Sequence, residues 1–259
     1  MQTRIYHALA LISLIAGTLY AADDPFCGKW KLNMEKSKVS GQQMTIQDLG
    51  NDKYKFSFGN VSDTIAVDGT DQPTSFGRTT AITKESPTDW KMVIKKDGKV
   101  LSSMHHVLSD DGKTQTIKGT ETKPDGTTSD FAVVTKRVGG GSGFAGTWQS
   151  TDVKIDAADE WDIEPWGAHG LTFNTPAYHD TLSMNFDGKE YVEKGPTVPA
   201  GATSSGKRIN ANTIEVTDKI NGKVMDHSKF ELSPDGKTLT LTVHNSGQAN
   251  AITFVYDKM

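Results

Sequence analysis

The sequence predicts an all-β protein of two tandem up-and-down antiparallel β-barrels, about eight strands each. The first observation behind this is an internal repeat. Phe26-Cys27-Gly28-Lys29-Trp30 returns as Phe144-Ala145-Gly146-Thr147-Trp148, and Leu108-Ser-Asp-Asp-Gly-Lys-Thr114 returns as Leu232-Ser-Pro-Asp-Gly-Lys-Thr238. Self-similarity over a long fixed period means two copies of one structural unit. The second observation is turn chemistry. Asp97-Gly98, Asp111-Gly112 and Asp125-Gly126 punctuate the first copy, and Asp187-Gly188, Asn221-Gly222 and Asp235-Gly236 the second. Such pairs supply the positive φ that tight hairpin turns demand. The third is a period of two throughout, with no long helical pattern and one short helical turn expected at residues 34–38. Consecutive hairpins favour a closed barrel, which removes exposed sheet edges; a sandwich is the alternative.

Residues 1–22 read as a secretory signal peptide. Arg4 and His7 precede an apolar run at residues 8–16, and small residues lead to Ala21-Ala22 ahead of Asp23-Asp24. The run is shorter than the ~20 apolar residues of a transmembrane helix. Cleavage near Ala21 or Ala22 delivers an exported protein, periplasmic or extracellular. Cys27 is the sole cysteine, which excludes an intramolecular disulfide, and an exported chain without disulfides suits a bacterial route. Its counterpart in the second copy is Ala145, so Cys27 reads as a small packed side chain. The net charge is −4, from 28 basic and 32 acidic residues spread along the chain. That balance carries no electrostatic footprint for nucleic acid or an anionic membrane. Gly139-Gly140-Gly141-Ser142-Gly143 reads as a flexible linker, dividing a first barrel at residues 23–138 from a second at residues 144–259.

Alternation along each strand assigns an inward face. The inward set in the second copy is Val224, Phe230 and Leu232, then Leu239, Leu241 and Val243, with Ile214, Val216 and Asp218 ahead of them. The shared hairpin transfers this to Val100, Met104, His106 and Leu108, then Gln115, Ile117 and Gly119, with Trp90, Met92 and Ile94 ahead. Where the second copy has Phe230 and Leu239, the first has His106 and Gln115, diagonal neighbours across the hairpin. Two inward polar groups bond each other, bond water, or serve a ligand beside Trp90 and Met104. The second copy carries its own departure, Trp161-Asp-Ile-Glu-Pro-Trp166, followed by Phe173 and Tyr178. Trp161, Trp166 and Tyr178 are candidates for a barrel mouth or an interface, against the plainer reading that they cover the barrel's side.

The paired Gly28-x-Trp30 and Gly146-x-Trp148 entrances resemble the Gly-x-Trp signature of lipocalins and related calycin barrels. Gly-Lys-Trp-Lys-Leu-Asn33, the Asp-Gly-Lys-Thr114 hairpin and the closing Val-Val-Thr-Lys136 are similar to secreted bacterial lipocalin-like domains. The resemblance covers both halves. It implies an eight-stranded barrel in which the Trp packs across the closed end beneath an Arg from the last strand, a place that Arg137 fills in the first domain; the second has Lys258 and no Arg, which departs from that pattern. It also implies a small hydrophobic or amphipathic ligand.

Catalytic signatures are missing. No Gly-x-Ser-x-Gly elbow occurs, the glycine runs lack a strand-to-helix context, and His105 and His106 point to opposite faces of one strand. His169, His179, His227 and His244 share the second copy with Asp180 and Asp226 without a metal-ligand spacing. No catalytic residue, metal or cofactor is therefore assigned. The expected function is binding of a small hydrophobic or amphipathic ligand in the first barrel, lined by Trp90, Met104, His106 and Gln115. The competing expectation is a pair of filled barrels that use residues 161–178 as a protein–protein surface; an isomerase- or hydrolase-type enzyme is third.

Overall fold

A computed structural model describes residues 24–156 and 159–259; the expected leader at residues 1–22 lies outside them. The first copy runs β1 (Gly28–Leu32), β2 (Gln43–Asp48), β3 (Lys53–Phe58), β4 (Val61–Ala66), β5 (Gln72–Thr74), β6 (Arg78–Ser86), β7 (Asp89–Lys96), β8 (Lys99–Leu108), β9 (Thr114–Thr122) and β10 (Thr128–Gly139). The second runs β11 (Gly146–Ile155), β12 (Glu160–Trp166), β13 (Gly170–Thr175), β14 (Asp180–Asn185), β15 (Asp187–Val192), β16 (Ala202–Asn210), β17 (Thr213–Ile220), β18 (Lys223–Leu232), β19 (Thr238–Asn245) and β20 (Ile252–Lys258). Among the described residues there is no α-helix. Residues 34–38 make a hydrogen-bonded turn (Ser37 N to Met34 O, 3.2 Å) rather than a helical one, and the helical piece is a 3-10 turn at Ser75–Gly77. No helix there is long and apolar enough to cross a membrane.

The strands form two antiparallel sheets of ten, not the eight expected. The excess lies in short strands that a periodicity of two cannot register: β5 has three residues and contains Pro73. Both sheets curl to near closure. In one, the Gln72 side chain zips β4 to β5 by bonding both the amide and the carbonyl of Ala66, each at 2.8 Å. In the other, Thr181 on β14 exchanges backbone bonds of 2.7 and 2.9 Å with Lys194. These contacts cover the edges an open sheet would leave.

The two sheets are not drawn one from each copy. Their orders are β4-β3-β2-β11-β10-β9-β8-β7-β6-β5 and β14-β13-β12-β1-β20-β19-β18-β17-β16-β15. The entrance strand of each copy is thus built into the other copy's barrel. β1 lies between β12 and β20 with Trp30 opposite Trp161 and Lys258, while β11 lies between β2 and β10 with Trp148 opposite Met44 and Arg137. The first barrel is therefore β2–β11, and the second is β1 with β12–β20. The chain crosses between them twice, from β1 to β2 and from β11 to β12. The Gly-rich stretch expected to link the barrels is instead the β10–β11 hairpin loop of the first one.

The cores follow this exchange. Ile46, Ile65, Ile82, Trp90 and Leu108 pack with Phe144 and Trp148, whereas Ile163, Leu171, Ile214, Leu239 and Tyr256 pack with Phe26 and Trp30. Burying such rings contributes about 3 kcal/mol each. Both entrances are built alike: Trp30 Nε1 donates to Phe26 O and Trp148 Nε1 to Phe144 O, each at 2.9 Å. Arg137 sits 4.2 Å over Trp148 and the Lys258 ammonium 5.1 Å over Trp30, so each cation covers the tryptophan of the other copy. Gly28 and Gly146 have φ of 136° and 142°, and a Cβ on Gly28 would stand 2.8 Å from Lys258 Cε. The Gly of Gly-x-Trp is needed for backbone conformation and for the overlying cation together. Burial, then Asp24, pushes the neighbouring Cys27 thiol up to about 11, so it stays protonated and unreactive at neutral pH.

Two inward assignments fail. Val100 is 44% exposed, because Leu101 is an extra residue in β8 that reverses the alternation beyond it. Met225 is the matching bulge in β18 and sets Val224 opposite Lys219, on the face away from Asp218. Asp187-Gly188, expected as a hairpin turn, lies in an irregular stretch at the start of β15.

Candidate functional site

The interior of the first barrel is packed where a ligand was expected. Trp90 stacks on Phe144 with centroids 3.9 Å apart and meets Tyr54 edge-on at 4.8 Å. His106 stands directly opposite Trp90, and Met104 opposite Met92. Gln115 Nε2 and His106 Nδ1 are 3.1 Å apart, and both side chains are buried. The four sequence candidates thus gather on one inner surface, with Trp90 held between the rings of Tyr54 and Phe144. Burial lowers the His106 imidazole from its ordinary 6.5 to about 4, so it is neutral at physiological pH. Trp90 Nε1 and His106 Nε2 have no hydrogen-bond partner among the described residues.

The second barrel contains a cavity of about 140 Å³. Its apolar wall includes Trp161, Phe173, Met184 and Phe230, with Trp161 stacked 5.1 Å from Tyr256 and tilted against Phe230 at 5.6 Å. Trp161 therefore faces the barrel interior. Trp166 is 37% exposed and lies edge-on to Tyr191 at 5.7 Å. Tyr178 leaves this barrel and donates to Glu121 of the first barrel at 3.1 Å, with the Lys123 ammonium 5.1 Å over its ring. The three aromatic candidates occupy three different surroundings and do not form one patch.

The polar wall of the cavity was not singled out from sequence. Asp180, Glu193 and Asp218 line it together with Ser204, and Asp226 stands directly across the ladder from Asp218. Asp218 and Asp226 hydrogen-bond each other, which requires a proton between them. Burial, then the Asp226 charge, raises Asp218 from 3.8 to about 7; burial also raises Asp226, against the Ser228 hydroxyl that donates to it at 2.8 Å. Glu193 is raised by burial and by the charges of Asp180 and Asp226. Among the described residues, no ion pair reaches any of these four carboxylates. The arrangement is an aromatic cup with a carboxylate rim.

Comparing the copies carried a usable signal for this wall. Asp218 matches Ile94, and Asp226 matches Ser102. The obstacle was register. Counting back from the Asn221-Gly222 turn sets Asp218 opposite Met225, and the bulge at Met225 is what delivers Asp226 instead. No group of three or more His, Cys, Asp or Glu side chains suited to a metal ion occurs among the described residues. Comparison with protein-family models, curated proteins and solved structures returns no match for the chain.

Proposed function

We propose that this chain is an exported, lipocalin-like binding protein that takes a small amphipathic amine in its second barrel. The observation that carries the reading is the aromatic cavity whose rim bears three carboxylates, Asp180, Glu193 and Asp218, with Asp226 paired to Asp218, none of them in an ion pair among the described residues. Apolar walls supply affinity and a few placed polar groups fix orientation. An ammonium head meets the carboxylates in charge-assisted hydrogen bonds, and Trp161 offers a π face to the same cation. A volume near 140 Å³ suits a ring about the size of benzene, not a long acyl chain. The tryptophan-and-cation entrances support the lipocalin-like part, and the leader-like residues 1–22 support export.

Calorimetric titration with benzylamine tests the reading, with benzyl alcohol and benzoate as neutral and anionic controls. Benzylamine is expected to bind saturably and at least about ten-fold more tightly than benzyl alcohol. Its affinity should rise between pH 6 and pH 8, because the Asp218–Asp226 pair must surrender its shared proton while an alkylammonium stays charged throughout. Asp218→Asn should weaken benzylamine and leave benzyl alcohol unchanged. Equal affinity for amine and alcohol, or no saturable binding at pH 8, removes the proposal.

A further inference from the structure

Two cavities meet at a single contact. Asp180 lines the cavity of the second barrel, and Thr197 lines a separate space of about 190 Å³ between the barrels, together with Tyr178 and with Ile94, Leu101 and Phe131 of the first barrel. The Thr197 hydroxyl donates to Asp180 Oδ2, and its amide donates to Asp180 Oδ1 at 3.3 Å. Those two bonds are a wall between the spaces.

The loop that carries Thr197, residues 193–201, is gripped from the other barrel. Lys96, the last residue of β7, donates from Nζ to Pro196 O at 2.7 Å and to Val198 O at 2.9 Å, the carbonyls on either side of Thr197. Lys96 makes no ion pair among the described residues, so its ammonium is committed to these carbonyls. Gly195 has φ of 150°, and a Cβ there would overlap the Asp180 carboxylate, so the loop lies hard against that side chain. The turn on the far side of Asp180 is also held by the first barrel: Asp125 N donates to Ala177 O at 3.4 Å, beside the Tyr178–Glu121 bond.

We propose that Lys96 is a positioning residue for the second barrel's cavity. It fixes the backbone on both sides of Thr197, keeps Thr197 on Asp180, and so holds the acidic wall closed against the space between the barrels. The first barrel then sets how fast a bound amine leaves the second. That consequence rests on the amine-binding reading; the positioning itself does not.

Hydrogen exchange on the full chain tests the positioning without a ligand. Lys96→Ala should speed exchange of the Thr197 amide about ten-fold while the amides of β19 keep their protection, which separates loop release from unfolding. Lys96→Arg retains paired donors and should preserve protection at Thr197. In stopped-flow binding, Lys96→Ala should raise benzylamine dissociation about ten-fold with little change in association. Thr197→Val should do the same, and the double variant should be no worse than either alone. Unchanged Thr197 exchange in Lys96→Ala overturns the proposal, as do additive effects on dissociation. Loss of Thr197 protection in a protein that binds no amine sinks the amine reading and upholds the positioning role.

Discussion

His106 is buried against Trp90 with Gln115 on its Nδ1, and Asp218 shares a proton with Asp226 in the other barrel. Their pH dependences have opposite signs. The folded imidazole stays neutral down to about 4, while the unfolded one takes a proton near 6.5. Its contribution is fully present above pH 6.5 and is lost as pH falls toward 4, on the order of 3 kcal/mol in all. Folded Asp218 keeps its proton up to about 7 while the unfolded chain gives it up near 3.8, so its contribution is fully present below pH 3.8 and fades as pH rises to 7. The second copy suggests the test, since it carries Phe230 and Leu239 where the first has His106 and Gln115. The double substitution His106→Phe, Gln115→Leu should flatten the urea midpoint between pH 4 and pH 6.5, and Asp218→Ile should stabilise most above pH 7. An unaltered pH profile in either variant would contradict the burial argument. The inward placement of His106 and Gln115 was legible because alternation and the shared hairpin fix which face a side chain takes. The Asp218–Asp226 pair was not, because one bulged residue resets that count.

At the level of the strand, the entrances depend on backbone that a Cβ cannot enter. Gly146 has φ of 142°, and an added Cβ would overlap Gly140 O and Arg137 Nη1. Gly146→Ala should destabilise by about 2 kcal/mol or more, from backbone strain and from displacing Arg137 off Trp148. Gly140→Ala, in open space on the same loop, should change stability by less than about 0.5 kcal/mol. Chemical denaturation measures both, and equal losses would refute this account of the signature. Hairpins were the most legible elements. Asp97-Gly98 and Asn221-Gly222 each place two successive residues at positive φ, as a two-residue turn of the favoured hand requires. Asp187-Gly188 has the same chemistry yet begins β15, because Gly188 at φ 77° serves an irregular strand equally well.

For the whole molecule, exchange of β1 and β11 makes the barrels interdependent. A protease site placed in residues 140–143 should leave the nicked chain as one folded particle on size exclusion without denaturant, because β1 remains between β12 and β20 and β11 between β2 and β10. Two independent barrels joined by a linker would separate, and their separation would refute the exchange. The sequence by itself determined the β class, the two copies, the hairpin positions and most inward faces, because φ preference and alternation are local properties read along one strand. Which barrel receives each Gly-x-Trp strand was decided by tertiary structure. A ladder bonds any backbone of matching register, and the two entrances are alike in their Phe, Gly and Trp, so local chemistry does not distinguish the two placements. The order in which the chain passes from β1 to β2 and from β11 to β12 decides. The same holds for the candidate site, where Thr197, Asp180 and Lys96 come from distant segments that meet through packing of one barrel on the other.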